Sequence, residues 1–382
     1  MPRLVHVTTV PESLGFVAGQ VDYLRQRGYE VAVVCSPGRL LDEFARKHDV
    51  EPAAVKMNRA ITPLRDADAI ARLTGFLLDW GPDIVHSHTP KGGMLGMIAA
   101  QTAMVPVRIY HMRGLLISTA RGLRRTLFSS AERLSCGLAH TVICQSHSLR
   151  EFAIDHRIVA PRKAVVLGNG GNGVDAAGRF DPERIDGLDV RTQLGIDADD
   201  HVIGFVGRLV RDKGIGELVD AWRAIKATDP RAHLLIVGPF EERDGVEPWV
   251  ERALREDDRV HLVGYVSDAP RYYEAMDVLA LPSHREGFPN VPLEAAAMGV
   301  PTVTTNAVGC VDAVVDGVTG TTVDVGDARA LGAALRAYLD DDELRAEHGA
   351  AARARVRADF RPDVVHRATA QLYGRLLEKH AR

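Results

Sequence analysis

Cysteine is scarce in this sequence. Four cysteines occur in 382 residues, Cys35, Cys136, Cys144 and Cys310, and no two of them have the spacing of a Cys-x-x-Cys pair. Structural zinc sites and disulfide frameworks normally show closely spaced Cys residues or Cys and His residues. The sequence therefore predicts neither kind of cross-link and indicates a reducing compartment.

The chain also lacks a long apolar segment near its start. Met1 leads directly into a short strand-like run, Leu4 to Thr8. A secretory signal needs an apolar stretch of about 7–15 residues, and a membrane span needs about 20. We therefore expect a cytoplasmic protein.

Neither sign of charge dominates. The sequence has 47 Lys and Arg residues against 51 Asp and Glu residues, which gives a formal net charge of -4. Such a balance provides no overall attraction to nucleic acid or to an anionic membrane. We expect no nucleic-acid partner, and any site for an anion must be local.

What the sequence does contain is an alternation of short apolar runs and longer amphipathic segments. It extends from Leu4 to Leu167 and resumes from Val202 to Thr304. The alternation is typical of βαβ units, and the chain is longer than the ~100–200 residues of a common domain. We predict an α/β fold with two Rossmann-like, doubly wound domains, 1–175 and 176–362, that face each other across a cleft.

A glycine-rich segment separates the two halves. It contains Gly168-x-Gly170-x-x-Gly173 after a strand-like run, a spacing also found in dinucleotide-binding folds. That fingerprint requires a helix directly after the glycines and an acidic residue at the end of the second strand. The sequence has neither, so we interpret the glycines as a bend in a linker.

Segment 284–294 carries two glutamates and follows the apolar run Val278 to Leu281. We expect Asn290 to cap a helix that leaves free backbone N–H donors at its start, where a phosphate binds well. Glu286 before this helix and Glu294 one turn inside it can then flank a ligand rich in hydroxyl groups. The alternative is a surface loop with one capping and one solvated carboxylate.

A group of cations follows the apolar run Val202 to Val206. Gly207 and Arg208 come first, and Lys213 and Gly214 precede a helical pattern. A guanidinium and an ammonium at the carboxyl end of a strand can neutralise charge that develops on a diphosphate. Taken alone, the two cations are typical of a solvated loop, but beside the glutamate segment they favour an anion site.

Segment 108–133 is the most basic stretch, and its six arginines alternate with leucines and other apolar residues. One interpretation is a helix that rests on a membrane surface or holds a lipid diphosphate. The other is an ordinary helix with a solvated charged face. In the same half, His88 and Lys91 follow a strand and can line an acceptor site, although a buried or capping role for His88 is equally consistent.

These segments resemble the retaining glycosyltransferases of family 4, which have the GT-B fold, over essentially the whole chain. The matches are Glu286-x7-Glu294, Gly207-Arg208 with Lys213-Gly214, and Asn172-Gly-Val-Asp175. The resemblance implies that residues 1–175 bind the acceptor and residues 176–362 bind the nucleotide-sugar donor. It also implies that a last helix, at about 363–382, packs back onto the first domain.

The resemblance further implies the roles of individual residues. The donor sugar, ribose, base and diphosphate would contact Gly207, Val266, Phe288, Pro289, Asn290, Val291 and Glu294, while Arg208, Lys213 and Glu286 would be catalytic. On the acceptor side or at the active-site turn it points to Gly15, His88, Lys91, His111 and Arg113. Family members commonly have a histidine directly before the glycine of this turn. Here Arg113 precedes Gly114, and either His111 or Arg113 can take that position.

Metal-dependent members of this enzyme class normally carry an Asp-x-Asp pair at a strand end. The two candidates, Asp66-Ala-Asp68 and Asp197-Ala-Asp199, lie in polar segments, and we interpret both as helix caps. We therefore expect no metal ligands and no cofactor. The cations at Arg208 and Lys213 would take the diphosphate charge instead.

The resemblance is greatest to enzymes of capsule, O-antigen and N-glycan assembly, through Thr8 to Pro11, His88 to Gly93 and Ser146 to Leu149. We expect a retaining transferase that moves a hexose or N-acetylhexosamine from a UDP-linked donor to a polyprenyl-diphosphate-linked glycan. The alternatives are a small-molecule natural product as acceptor, a sugar-nucleotide 2-epimerase of the same fold, or a non-catalytic sensor. Peripheral attachment to the inner face of the membrane through segment 108–133 is an alternative to a purely cytoplasmic location.

Overall fold

The computed structural model describes residues 1–58, 60–185, 190–241 and 244–380. The chain divides into two compact units. The first consists of Met1–Asn172 with Pro362–Arg382, and the second of Gly173–Arg361. The last two residues of the predicted final helix lie outside the described residues.

The first unit is built on a parallel sheet of seven strands in the order β3-β2-β1-β4-β5-β6-β7. Its central strands are buried along almost their whole length, as expected where helices cover both faces of a parallel sheet. The strands are β1 Arg3–Val7, β2 Glu30–Cys35, β3 Glu51–Ala54, β4 Ile84–His88, β5 Val107–Met112, β6 Thr141–Cys144 and β7 Ala164–Val165. The helices between them are α1 Ala18–Arg25, α2 Arg39–His48, α3 Pro63–Trp80, α4 Pro90–Thr102, α5 Gly122–Leu138 and α6 His147–Asp155.

The second unit repeats this plan with six parallel strands in the order β10-β9-β8-β11-β12-β13. The strands are β8 His201–Val206, β9 Ala232–Val237, β10 Val260–Gly264, β11 Val278–Leu281, β12 Thr302–Thr305 and β13 Gly320–Val323. The helices are α7 Val190–Leu194, α8 Ile215–Lys226, α9 Pro248–Glu256, α10 Pro270–Glu274, α11 Val291–Ala297, α12 Cys310–Ala313, α13 Ala328–Asp340 and α14 Asp342–Asp359. Apolar clusters lie on both faces of the sheet. The predicted α/β class with two doubly wound sheets is confirmed.

The last helix, α15 Pro362–His380, belongs to the first unit although it follows the second in the chain. It contributes Leu372, Tyr373 and Leu376 to the core of that unit. The Tyr373 hydroxyl hydrogen-bonds Nδ1 of the buried His86 at 2.5 Å. The first unit is therefore complete only when a segment from the far end of the chain joins it.

Two edge strands were not anticipated from the sequence. β3 has the sequence Glu-Pro-Ala-Ala and β13 has Gly-Thr-Thr-Val, and neither is deeply buried. Each pairs on one side with a more deeply buried strand, β3 with β2 and β13 with β12, and this pairing sets the register. Because backbone pairing rather than an apolar run holds these strands, local hydrophobicity could not predict them.

The strand order places a switch point in each sheet. β1 lies between β2 and β4 in the first sheet, and β8 lies between β9 and β11 in the second. At such points the loops after neighbouring strands run in opposite directions and leave a crevice, which is where open α/β sheets bind ligands. The loops after β1, β4 and β5, and those after β8 and β11, are therefore the first places to look for a site.

Helix α4 can lie close to β5 because residue 93 is glycine. A Cβ atom at Gly93 would collide with the ring of Tyr110, which is completely buried in β5. The Tyr110 hydroxyl donates a hydrogen bond of 2.8 Å to the buried Glu132, and burial raises the pKa of that carboxyl group to about 7. Helix α4 at Gly93 and the hydrogen bond to Glu132 both hold the Tyr110 ring in place, so the ring cannot easily move away from an added methyl group.

We expect Gly93→Ala to lower the free energy of unfolding of the first unit by about 1–3 kcal/mol, because the added methyl must displace a packed ring. Gly75→Ala is the matched control. Gly75 lies inside α3 with open space around it, so this change should raise stability by about 0.5–1 kcal/mol. Calorimetric melting temperatures of the two variants check the prediction, and a shift of the same sign in both would contradict it.

Candidate functional site

The loops after β8 and β11 meet because these strands are neighbours in the sheet. Gly214 allows the close approach: its φ is 68°, and a Cβ atom there would collide with the carbonyl oxygen of Pro282. The His284 N–H donates to the Asp212 carbonyl oxygen at 2.8 Å, and Arg285 forms an ion pair with the Asp212 carboxylate. The two loops thus form one connected surface in the second unit.

At the centre of this surface Lys213 and Glu286 form an ion pair. The Lys213 ammonium contacts Glu286 Oε1, which also accepts a hydrogen bond of 2.9 Å from Ser283 Oγ. The Lys213 side chain is 22% exposed and that of Glu286 13% exposed. Among the described residues Glu286 Oε2 has no partner, so the pair presents a fixed cation and one free acceptor oxygen.

The turn between Glu286 and α11 presents backbone donors. Within the described part of the chain no acceptor is found for the N–H groups of Gly287, Phe288, Asn290 and Val291. Orphan donors at the start of a helix favour an oxyanion. The structure therefore places unpaired backbone donors directly after Glu286.

Asn290 differs from the prediction in one respect. It precedes α11, but its side chain makes no capping hydrogen bond, and its φ of -76° and ψ of -25° are helical. A capping residue needs an extended backbone to turn its side chain back onto the first turn, so the capping prediction is wrong. The Asn290 Oδ1 atom is buried without a partner among the described residues and remains an unused acceptor.

Glu294 lies one turn inside α11 and is held by a tyrosine. Its Oε2 accepts a hydrogen bond of 2.7 Å from the Tyr273 hydroxyl. Burial raises the pKa of Glu294 and raises that of Tyr273 well above its ordinary value. In the part of the chain that is described, Oε1 has no partner, so this oxygen can accept a hydrogen bond from a ligand hydroxyl.

Arg208 lies apart from this group. Its side chain is 54% exposed and its Nη1 contacts Glu241 Oε1 at 3.3 Å. The preceding Gly207 donates its N–H to the Val237 carbonyl oxygen at 2.9 Å. The structure brings together Lys213 and Glu286 of the three predicted catalytic residues, whereas Arg208 makes a separate, solvated ion pair.

The loop after β10 contains Val266, which packs against the core, and Tyr265, which is 82% exposed. Arg179 Nη2 donates to the Ser267 carbonyl oxygen of this loop at 2.9 Å. The charge of Arg179 also acts on Glu294 and opposes the rise in pKa that burial causes. Arg179 was not predicted from the sequence, because an arginine in a polar linker carries no signal of its own.

The first unit has a separate cluster of four buried histidines at the carboxyl ends of its central strands. His6 pairs in register with His86, and His88 with His111. His6 Nδ1 and His88 Nε2 are hydrogen-bonded at 2.9 Å. Burial lowers the pKa of all four, that of His6 to about 3, so the rings are neutral at physiological pH. The sequence signal for this cluster was the presence of histidines in the apolar strand runs that begin at Leu4, Ile84 and Val107.

Arg113 lies against these histidines. Its Nε donates to His88 Nδ1 at 3.3 Å, and its Nη1 donates to Asn172 Oδ1 at 3.1 Å and to Gln145 Oε1 at 3.4 Å. His111 Nε2 is hydrogen-bonded to the same Gln145 Oε1 at 2.5 Å. Both candidates for the active-site turn, Arg113 and His111, thus belong to one hydrogen-bonded group with His88.

His6, His86 and His88 are also the one group in the described residues with potential metal-ligand atoms within 4.8 Å of one another. Two of these nitrogens already bond each other, and Arg113 donates to the remaining nitrogen of His88. A guanidinium beside the cluster also opposes a second cation. The hydrogen bonds account for these side chains better than a metal ion does.

The other predicted residues of this unit have different surroundings. Lys91 is buried and forms an ion pair with Asp66, whose carboxylate also accepts from the Thr62 backbone N–H at 3.1 Å at the start of α3. Lys91 is thus tied to a structural partner. Gly15 is an exposed residue of the 3-10 helix Pro11–Phe16.

The basic segment covers β5 from its second residue onward, the loop that follows, and α5 as far as Arg133. The first turns of α5 are exposed on every side, and they carry Leu123, which is 90% exposed, beside Arg121, Arg124 and Arg125. The second half of the helix is buried on one face through Ser129 and other small residues. No helix in the described ranges has both the length and the apolar character needed to cross a bilayer.

Comparison with known proteins assigns the family. Residues 188–355 match the model of glycosyl transferases group 1, and residues 16–170 match that of the glycosyl transferase 4-like domain. The capsular polysaccharide biosynthesis glycosyltransferase CapM of Staphylococcus aureus is 32% identical over 380 residues, which cover 99% of this chain and 98% of that protein. The chain belongs to the family 4 glycosyltransferases.

Another relative and two solved structures are similar to most of this chain. The UDP-Gal:alpha-D-GlcNAc-diphosphoundecaprenol alpha-1,3-galactosyltransferase of Escherichia coli is 26% identical over 80% of both chains. A glycosyltransferase from Rickettsia africae superposes with a TM-score of 0.81 at 19% identity, covering 98% of both chains. Anabaena HepE in complex with UDP-glucose gives 0.80 at 21% identity, covering 98% of this chain and 100% of that one. These two structures show that the glycosyltransferase has the GT-B fold.

The second unit also contains a titrating pair beside the ion pair of Lys213. His284 Nε2 and Glu217 Oε1 are 2.7 Å apart. Their hydrogen bond raises the pKa of His284 above 6.5 and lowers that of Glu217 below 4.5. The stabilisation by His284 is complete below pH 6.5 and is lost as the pH rises through its folded-state pKa, while that by Glu217 is lost as the pH falls below 4.5.

We therefore expect His284→Gln to lower the free energy of unfolding most between pH 4.5 and 6.5, by up to about 1 kcal/mol for a partly exposed pair. The difference from the wild type should shrink as the pH rises further. Melting temperatures measured across this range check the prediction, with Glu217→Gln as the reciprocal variant. A difference that does not depend on pH would contradict the assignment.

Proposed function

We propose that this glycosyltransferase moves a hexose or N-acetylhexosamine from a UDP-linked donor to a polyprenyl-diphosphate-linked glycan, with retention at the anomeric carbon and without a metal ion. The observation that carries the proposal is the Lys213–Glu286 pair followed by unpaired backbone donors and by Glu294 on one short helix. Lys213 and the backbone donors suit a diphosphate, Glu286 Oε2 suits a hydroxyl of the sugar, and Glu294 Oε1 suits a hydroxyl of the ribose.

The proposed chemistry assigns charge stabilisation to cations and backbone. The bond from the anomeric carbon to the diphosphate oxygen breaks, and Lys213 with the N–H groups after Glu286 stabilises the charge on the leaving diphosphate. The acceptor hydroxyl forms its bond to the same face of the sugar and passes its proton to the departing diphosphate. Glu286 Oε2 and Glu294 Oε1 accept hydrogen bonds from sugar and ribose hydroxyls and take no proton.

The surroundings of Lys213 explain why a metal ion is not needed in this proposal. A divalent ion in such reactions neutralises diphosphate charge, and Lys213 offers a charge that is already fixed by Glu286 and Ser283. Fixed charges need no reorganisation during the reaction. Arg208, which is solvated and paired with Glu241, would add to this charge only by leaving its partner.

The acceptor is proposed from the relatives and from α5. CapM is named for capsular polysaccharide biosynthesis, and the Escherichia coli relative is named for a diphosphoundecaprenol acceptor. Exposed arginines and leucines at the start of α5 suit the phosphate and lipid parts of such an acceptor. A role in capsule or related glycan assembly follows from this proposal.

The direct test is a screen of UDP-sugars against a polyprenyl-diphosphate sugar and against small-molecule acceptors, read by mass spectrometry, with and without EDTA. We expect a glycosylated lipid product whose anomeric configuration, measured by NMR, matches the donor, and equal yields with EDTA. Conversion of the donor without any acceptor would instead reveal a 2-epimerase. Loss of product with EDTA would overturn the metal-free mechanism.

Lys213→Met should reduce transfer by about 10²–10³-fold, the range found when one group that stabilises a developing anion is removed. Arg211→Met is the matched control, since Arg211 lies in the same loop but pairs with Glu247 at the surface. Initial rates at saturating donor and acceptor check the prediction. Rates that fall equally in both variants would show that loop integrity, and not the ammonium of Lys213, is what matters.

The start of α5 should hold the enzyme at anionic membranes. Replacing Arg121, Arg124 and Arg125 by Gln should weaken binding to vesicles that contain anionic lipid by about 100-fold, from about 1 kcal/mol for each charge near the surface. The control replaces three exposed arginines of the second unit, Arg211, Arg252 and Arg329. Sedimentation with anionic and neutral vesicles measures the effect, and equal losses in the two triple variants would contradict a specific surface.

A further inference from the structure

Arg113 is a partly buried cation with no carboxylate beside it among the described residues. Its partners through Nε and Nη1 are an imidazole and two amide oxygens, and in the described residues no carboxylate forms an ion pair with it. Burial lowers the pKa of its guanidinium to about 9. An arginine without a counter-ion reduces stability unless a ligand supplies the missing charge.

The hydrogen bonds around Arg113 fix its orientation and the tautomers of its neighbours. Because Arg113 Nε donates to His88 Nδ1, the proton of this neutral ring lies on Nε2, which donates to His6 Nδ1. The Arg113 Nη1 atom donates to two amide oxygens that are themselves linked through Gln145 Nε2. Within the described ranges Nη2 is the one guanidinium nitrogen of Arg113 without a partner. The guanidinium is therefore held in one orientation by Nε and Nη1, and Nη2 is left to bind a ligand.

That end borders a cavity of about 30 Å³ within the first unit. Besides Arg113 it is lined by His86, His111, Gln145 and the backbone of Gly171. His86 Nε2 and His111 Nδ1 are buried nitrogens without a partner among the described residues, and both side chains are at most 7% exposed. The cavity also has apolar lining, from Ile143 and Leu167 among others. Neutral His111 directs its Nε2 proton at Gln145 Oε1, so its Nδ1 can only accept a hydrogen bond. His86 Nε2 can donate when the Tyr373 hydroxyl donates to His86 Nδ1, and together with the guanidinium it suits an oxyanion.

We propose that this cavity is a subsite for an oxyanion of a substrate, a carboxylate or a phosphate, which Arg113 Nη2 binds through a charge-assisted hydrogen bond. The inference rests on the proposed function only for the nature of the substrate that carries the oxyanion. Guanidinium groups bind both kinds of oxyanion in the same geometry. The oxyanion comes either from a uronic acid sugar or from the diphosphate of the lipid-linked acceptor.

A purely structural role for Arg113 predicts a different outcome in a stability experiment. An arginine that only fills space and bonds its neighbours should lower the melting temperature when it is replaced. Replacing an arginine whose charge is balanced only by a bound anion should not lower the melting temperature. Arg113→Met keeps a similar side-chain volume and leaves no unpaired charge behind. We expect the melting temperature of Arg113→Met to equal or exceed that of the wild type.

Binding to the full chain then tests the ligand. The probes are glucuronate with glucose as its neutral control, inorganic pyrophosphate for the acceptor diphosphate, and UDP for the donor site, each measured by calorimetry. We expect Arg113→Met to lose about tenfold in affinity for glucuronate or for pyrophosphate, which corresponds to about one charge-assisted hydrogen bond. Arg113→Lys, which keeps the charge but not the planar group, should fall between.

Two controls separate the possible outcomes. Arg162→Met removes an exposed charge from the same unit and should leave all affinities unchanged, and UDP affinity should be the same in all variants. A loss for glucuronate alone identifies a sugar carboxylate, and a loss for pyrophosphate alone identifies the acceptor diphosphate. If neither probe shows binding that depends on Arg113, the subsite is overturned, whereas absence of UDP binding in the wild type would count against the proposed function and leave this test intact.

Discussion

The close approach of two loops in the second unit is the constraint on which its candidate site depends. Parallel neighbours β8 and β11 bring their carboxyl ends to one edge, and Gly214 lets the backbone of one loop reach the carbonyl oxygen of Pro282 in the other. This contact sets Lys213 against Glu286. Any side chain at position 214 would push the loops apart and separate an ion pair whose members lie 73 positions apart in the chain. A glycine that takes no part in the chemistry therefore decides whether the site exists.

A feature of the fold or of the candidate site could be predicted from the sequence when it depends on residues that are close together in the chain. Lys213, Glu286 and Glu294 could be found because each directly follows an apolar strand or lies in the helix behind it, and a parallel sheet gathers such positions at one edge. The sequence could not show that Asn290 makes no capping hydrogen bond. This depends on the helical backbone at Asn290 and on the burial of its side-chain oxygen. The ion pair of Arg208 with Glu241 and the contact of Arg179 with Ser267 arise from tertiary neighbours that no sequence window contains. Edge strands β3 and β13 were missed for the same reason.

The two units differ in whether a carboxylate balances the charge of the cation at the site. In the second unit a lysine is neutralised by a carboxylate that is itself hydrogen-bonded, and one oxygen of each key glutamate is left for a ligand. In the first unit four neutral histidines and two amides surround Arg113, and none of them balances its charge. The sequence showed the arginine as a departure from the family pattern. Its significance emerges only from the register that places His6, His88 and His111 around it.

The position of α15 has a consequence for how the protein is made. His86, at the centre of the first sheet, bonds the hydroxyl of Tyr373, and that helix is synthesised only after every residue of the second unit. The first half of the chain therefore emerges early but spends most of translation with His86 lacking this partner and with part of its core uncovered. The amino-terminal unit therefore cannot complete its core before the second unit has been synthesised, in contrast to the usual order in which the amino-terminal domain matures first. A chain that stops before residue 373 would contain every residue of the second unit but would leave His86 of the first unit without the Tyr373 hydroxyl.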